Sequence, residues 1–445
     1  MTTTISEQDS SLTGSGAPTA ENAPVSEKQR IQSIDTLRGV ALFGILLMNI
    51  IAFAYPFAAY TNPAIDGATE GVDLFAFAFN DVMVEGSMRA LFSMLFGAGM
   101  LIFLNKPGAD EAEVKKLFYR RTKLLICFGL VNAYLFVWIG DILYAYGVTG
   151  LLLYYFCDFP AKKLLKISAG IVALLMLLHT GLHFNARMLG AEVEAIESLP
   201  AGTELSEEQQ QILETWDSFL EQQFASPAVI EEEIETKKSG YIDNFVAAAS
   251  INIFIQTLVF LTNNVWDVLS MMLLGMACWK WGLFDASRSM DFYTKLTLIS
   301  FAIAIPVNLV ETMTFINSGF AHHWVPGARP SYDVGRLSLA FGYIGLIMMI
   351  CKSGVLTAFR KGMAAVGQMA LTNYLSQSII CNFVFMGFGL GLVGELPRHQ
   401  VYYVVFGVWI FQLVFSVFWL KSYRFGPAEW LWRSLTYKKM QPMRL

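Results

Sequence analysis

LRGVALFGILLMNIIAFAYPF, residues 37 to 57, decides the fold class. After Arg38 it holds no charged side chain and is apolar on every side. About 20 such residues, wound as a helix, cover a hydrocarbon core of roughly 30 Å. Similar runs recur as far as Leu420, and only 15% of the 445 residues are charged against 55% hydrophobic. An average soluble domain carries about 25% charged residues. A membrane barrel would need alternating strands, and these runs do not alternate. The reading is an all-α, polytopic helical membrane bundle of about ten transmembrane helices.

Working outward, the N-terminal half is expected to span at 37 to 57, 87 to 105, 121 to 139, 141 to 158 and 164 to 183. The C-terminal half is expected to span at 265 to 283, 296 to 313, 334 to 352, 365 to 388 and 401 to 420. The run from 244 to 262 is apolar but carries Asn252 and Gln256, so it leaves the count open between crossing, re-entry and an interfacial position. Residues 1 to 29 are too poor in large apolar side chains to repay the entropy of ordering and read as a disordered tail. The membrane halves are 30 to 183 and 244 to 424, separated by an acidic loop at 184 to 243 and followed by a basic tail at 425 to 445.

Lys and Arg concentrate at 28 to 38, 106 to 123, 162 to 166, 352 to 361 and 421 to 444. The positive-inside rule places these segments, and with them both termini, in the cytoplasm of a bacterial cell with the chain in its inner membrane. The loop at 184 to 243 is then extracytoplasmic and reads as a solvated cap with short amphipathic helices around Trp216 and Phe219. The net charge is −5, so no nucleic-acid partner is expected. Membrane lipids and a small-molecule or envelope substrate are the expected partners. Five cysteines without metal-ligand spacing point to no metal centre.

An ionisable side chain inside a bilayer needs a partner or a wet cavity. Glu85, Arg89, Asp141, His179, His183, Asp267, Glu311 and Arg336 all fall near the outer ends of predicted helices, with His322 and His323 in the next outer loop. Ordinary snorkelling favours Lys, and this belt has none. His179 and His183 are four apart, share a helix face and are candidates for acid–base work together with Asp141, whose place in a Gly-Asp turn also suits a helix cap. Arg89, Glu311 and Arg336 are candidate substrate contacts. On the inner side Asp35 and Arg38 sit one turn apart, where a guanidinium would suit a phosphate-bearing donor such as coenzyme A. Asn49, Asn132, Asn308, Asn373 and Gln377 lie in apolar runs and either line a passage or bond neighbouring helices.

The motifs IDTLRGVALFGILLMNI at 34 to 50, AAYTNP at 58 to 63 and LFSMLFGAGM at 91 to 100 resemble the YeiB-like bacterial membrane proteins. So do GDILYAYGVTGLL at 140 to 152, MMLLGM at 271 to 276, QMALTNYLSQS at 368 to 378 and FGPAEWLWRSLTY at 425 to 437. That resemblance implies a C-terminal domain of unknown function and a role described as probable transport. The opening Asp-x-Leu-Arg-Gly is also similar to the first helix of transmembrane acyltransferases, which implies acyl-CoA as donor. Relatives commonly place a His shortly before the Gly-Asp turn, where this chain has Asn132. Asn is no base at neutral pH, so a mechanism that needs that His moves to His179 or His183. Three functions follow: acyl transfer from a cytoplasmic donor to an extracytoplasmic or envelope acceptor, transport of a small substrate, and a scaffold or regulator.

Overall fold

A computed structural model describes residues 31–105, 110–200, 202–320 and 329–445. The expected tail at 1 to 29 and the pair His322 and His323 lie outside these residues. The described elements run α1 Gln32–Ala54, α2 Gly71–Met83, α3 Ser87–Leu104, α4 Glu111–Leu130, α5 Leu143–Leu153, α6 Ala161–Glu197, α7 Glu207–Gln223 and α8 Pro227–Lys238. They continue with α9 Tyr241–Phe254, α10 Val265–Lys280, α11 Met290–Asn317, α12 Tyr332–Ser353, α13 Thr357–Gln368, α14 Ala370–Phe385, α15 Arg398–Trp419 and α16 Pro427–Tyr437. The protein is all-helical, as the apolar runs require.

Among the described residues seven helices are long and apolar enough to cross a membrane, with Leu143–Phe156 a shorter apolar one. Three of the ten expected spans differ for local reasons. The span at 121 to 139 belongs to a helix that begins at Glu111 in charged sequence and closes through a π-helical turn, Val131–Leu135. Its partner at 141 to 158 shortens to α5 because Asp141 starts the helix late. The span at 365 to 388 breaks at Met369 into α13 and α14. The doubtful run at 244 to 262 joins the expected span at 265 to 283: Tyr241–Lys280 is one continuous 40-residue helix, with a π-helical stretch at Ile255–Asn264.

The helices order the chain into two faces. The start of α1, the ends of α3, α10, α12 and α15, the start of α6 and all of α16 share the basic face, held by such contacts as Lys280 Nζ to the Cys157 and Phe159 carbonyls at 2.7 Å. The acidic segment at 184 to 243 caps the opposite face and is more built than a solvated loop. α6 runs on to Glu197, and α7 starts at a capping box formed by Ser206 and Gln209. At the end of α8 the buried Lys237 ammonium donates to the Ala52 carbonyl at 3.0 Å and to that of Tyr55, and pairs with Glu233 at 2.9 Å. A cation there satisfies the orphan carbonyls and complements the dipole of the α1 C-terminus.

Packing at the centre depends on backbone approaching backbone. A Cβ at Gly97 would stand 2.1 Å from the Met272 carbonyl oxygen, and one at Gly275 would stand 1.9 Å from that of Met94, so α3 and α10 interlock reciprocally. α1 and α13 do the same through Gly39 against Met363 and Gly367 against Asp35. In lipid, where apolar surface gains little by pairing, such small-residue crossings supply van der Waals contact. Gly275→Ala is expected to lower stability by about 1–3 kcal/mol through overpacking. A melting curve of the purified protein in detergent checks this, with Gly170→Ala, where a Cβ meets open space, leaving the midpoint unchanged.

Candidate functional site

Two cavities enter the bundle from opposite faces. The one on the basic face, about 270 Å³, is bordered by Asp35 and Arg38 of α1, Arg121 of α4, Tyr146 of α5, Tyr374 of α14 and Glu429 of α16. Arg38 and Asp35 pair at 2.9 Å, which holds the guanidinium at the rim. α16 closes one wall because the Glu429 carboxylate accepts from Leu371 N at 2.6 Å, Thr372 N at 3.2 Å and Thr372 Oγ1 at 2.6 Å, capping α14 from another helix. Burial nonetheless pushes the Glu429 carboxyl above its ordinary range. Trp432 donates its indole N–H to the Arg121 carbonyl at 2.9 Å, tying α16 to α4.

The cavity on the opposite face, about 330 Å³, gathers Asp81, Glu85, Arg89, His179, Asp267, Arg329, Tyr332 and Arg336. Its charges neutralise one another in two sets. Asp81 takes two hydrogen bonds from Arg329 Nη1 at 2.8 Å and one from Thr312 Oγ1 at 2.6 Å. Arg336 donates to Asp333 at 2.8 Å and also to Asp267. Arg89 is held loosely: its nearest carboxylate oxygen, on Asp267, is 3.8 Å away, and its side chain is 45% exposed. Tyr332 and Tyr60 hydroxyls donate to the two oxygens of Glu85 at 3.1 and 3.4 Å. The Nδ1 atom of His179 is buried with no hydrogen-bond partner among the described residues.

Tyr146 links the surroundings of the two cavities. The Tyr146 ring lines the basic-face cavity, while its hydroxyl lies 2.6 Å from Ser93 Oγ and 3.4 Å from the Arg89 carbonyl. Arg89 and Ser93 are one turn apart on α3, and the Arg89 side chain enters the opposite cavity. Tyr146 and Ser93 therefore tie the wall of one cavity to the helix that borders the other.

The structure brings together Glu85, Arg89, His179, Asp267 and Arg336 of the expected belt. Glu311 stands behind them, accepting from Ser331 N at 3.2 Å and Ser331 Oγ at 2.8 Å. Asp35 and Arg38 stand at the other face as expected. Asp141 and His183 line neither cavity. Asp141 accepts from Tyr144 N and Asn132 Nδ2, both at 2.8 Å, which is the capping geometry. His183 is buried on α6, one turn beyond His179.

The amides bond helices to each other. Asn308 reaches the Val82 carbonyl at 2.8 Å, Asn373 reaches Ser416 Oγ at 3.0 Å, and Gln377 reaches Gln412 at 3.1 Å. No group of three or more metal-ligating side chains occurs among the described residues.

Sequence reasoning missed Asp81, Arg329, Arg121, Tyr146 and Glu429. Asp81 lies on α2, whose apolar stretch is too short to read as a span, and Arg329 lies in a loop. The signal that could have found Asp81 is an acid beside Asn80 in an otherwise apolar run. Outside both cavities, the loop residue Asp66 pairs with Arg398 at 2.7 Å; burial raises its carboxyl above the ordinary range, and the guanidinium offsets only part of that rise.

Fold and site together define a helical membrane protein with a polar cavity at each face. The chain belongs to the YeiB-like family. It is 30% identical over 425 residues to a protein of Escherichia coli K12 described as uncharacterized protein YeiB, covering 93% of this chain and 98% of that one. It is 27% identical over 426 residues to the Bacillus subtilis protein described as uncharacterized protein YxaH, covering 94% and 97%. Residues 278–439 match the family model described as protein of unknown function DUF418.

Arg329→Ala strands the Asp81 carboxylate and is expected to lower stability by about 3–5 kcal/mol. Adding Asp81→Asn should restore most of that loss. Equal melting points for the single and double variants would contradict the pairing.

Proposed function

We propose that the protein transfers an acyl group from a cytoplasmic donor to an acceptor on the far side of a bacterial inner membrane. The observation that carries this reading is that Tyr146, on the wall of the basic-face cavity, bonds to Ser93 on the helix whose Arg89 lines the opposite cavity. A donor soluble on one side and an acceptor confined to the other need two such approaches to one point. Under this reading the basic face is cytoplasmic, as the positive-inside rule has it. A phosphate-bearing thioester donor such as acyl-coenzyme A enters past Arg38, with its acyl end toward Tyr146.

The acceptor is a hydroxyl or amine in the opposite cavity, oriented by Arg89, Tyr332 and Glu85. Its oxygen or nitrogen attacks the thioester carbonyl as a new bond to carbon forms and the C–S bond breaks. The acceptor proton passes to His179, which releases it to water on its own side, and the departing thiolate takes one proton from water on the donor side, so that the reaction yields acylated acceptor and free thiol. Asp141, through its cap on α5, positions the helix that carries Tyr146. His183 fixes the same face of α6 one turn on.

A second reading is transport of a small substrate. It is favoured by the π-helical stretch that ends at Asn263 and Asn264 on the wall of the opposite cavity, because irregular helix at membrane depth is tolerated where it lines a cavity.

Labelled acyl-coenzyme A, incubated with the reconstituted protein and an envelope fraction, should yield an acylated envelope product. Arg38→Gln should raise the donor KM about tenfold through loss of a charge-assisted contact, and His179→Asn should lower kcat about a hundredfold through loss of the base. Uptake of unmodified substrate into sealed vesicles without any labelled product would favour transport instead.

A further inference from the structure

Three guanidiniums face the basic-face cavity, and they are partnered differently. Arg38 is met by Asp35. Arg433 lies over the Phe425 ring, 4.4 Å from its centroid. Arg121 lies over two aromatic rings, with Cζ 4.0 Å from the Trp432 ring centroid and 5.1 Å from that of Phe103. No carboxylate lies within ion-pair distance of Arg121 among the described residues. The two acids of the cavity wall do not serve it: Asp35 holds Arg38, and Glu429 is engaged by the start of α14.

Ring faces attract a guanidinium, but they leave its planar fork of N–H donors unused. The plain alternative is an anchoring role in the basic belt. That role falls to Lys115, Lys116 and Lys123 on the same helix, which are exposed, whereas Arg121 lines the cavity. Beyond Arg121 the wall becomes apolar, with Phe92, Phe96 and Leu125 leading to Tyr146. A cavity with cationic donors at its mouth and an apolar inner end fits an anion that carries an apolar chain.

We infer that Arg121 anchors a phosphoanion site, and that its ligand is a phosphate ester whose apolar chain runs along Phe92 and Phe96 toward Tyr146. The inference rests on the acyl-transfer reading only in taking this ligand for the donor; the anion site stands on the cavity itself. A planar guanidinium held against two rings presents a preorganised fork to phosphate oxygens, which a lysine ammonium cannot reproduce. The same chemistry is offered by a water-soluble phosphate ester and by a lipid phosphate headgroup.

The test titrates the purified full-length protein with decyl phosphate and follows binding by equilibrium dialysis. Arg121→Gln is expected to weaken binding tenfold or more, Arg121→Lys to fall between, and Lys116→Gln to bind as the unsubstituted protein does. Melting curves without ligand establish that the variants fold. Unchanged affinity in folded Arg121→Gln overturns the site; where that variant does not fold, unchanged affinity in Arg121→Lys does so. Competition by octanoyl-coenzyme A identifies a soluble ester as the ligand, and competition by phosphatidylglycerol but not phosphatidylcholine identifies a lipid headgroup. Arg121-dependent binding in a protein that never transfers label keeps the site and removes the proposed activity. Acyl transfer with an unchanged donor KM in Arg121→Gln keeps the activity and removes the site.

Discussion

Two backbone crossings hold the bundle's centre, and the position of each cavity follows from them. α3 meets α10 through Gly97 and Gly275, and α1 meets α13 through Gly39 and Gly367. Each crossing puts a carbonyl where a side chain would otherwise be, so neither pair can slide without a clash. Arg38 is the residue before Gly39, and Arg89 and Ser93 lie on the helix that carries Gly97. The guanidinium at one face and the Ser93 hydroxyl that meets Tyr146 are thus placed by contacts that contain no polar side chain.

Charge is handled differently at the two faces. In the opposite-face cavity Arg329 and Arg336 each answer buried carboxylates, which is how ionised groups persist away from water. In the basic-face cavity Asp35 meets Arg38, and aromatic rings lie against Arg121 and Arg433. The first arrangement suits a ligand bound through hydrogen bonds without bringing charge of its own. The second suits a ligand that does bring charge.

The fold class was legible in sequence because apolar length is a one-dimensional property; α1, α11, α12 and α15 overlap the expected spans closely. Helix breaks were less legible. Met369 interrupts an apolar run without proline or a charged residue at the break, and the join between 244 to 262 and 265 to 283 depends on a π-helical stretch that composition does not announce. In the site, the belt emerged because each of its members violates lipid burial by itself. Asp141 emerged too, but depth could not distinguish a cap from a cavity group. Arg121 was hidden among basic neighbours that look identical in sequence, and only the rings of Trp432 and Phe103 set it apart. Tyr146 was hidden for the opposite reason, since a tyrosine in an apolar run violates nothing.

The hold of Glu429 on the start of α14 has a bearing on how the protein is made. The wall that α16 contributes comes later in the chain than every other wall of the basic-face cavity. Every other element around the basic-face cavity is synthesised before it and must wait, with that side open, until residues 427 to 437 dock. The cavity therefore cannot close before α16 has left the ribosome, and a chain cut before Pro427 would retain its long apolar helices and lack a finished pocket. A fully formed basic-face cavity is in effect a receipt that synthesis has passed Tyr437.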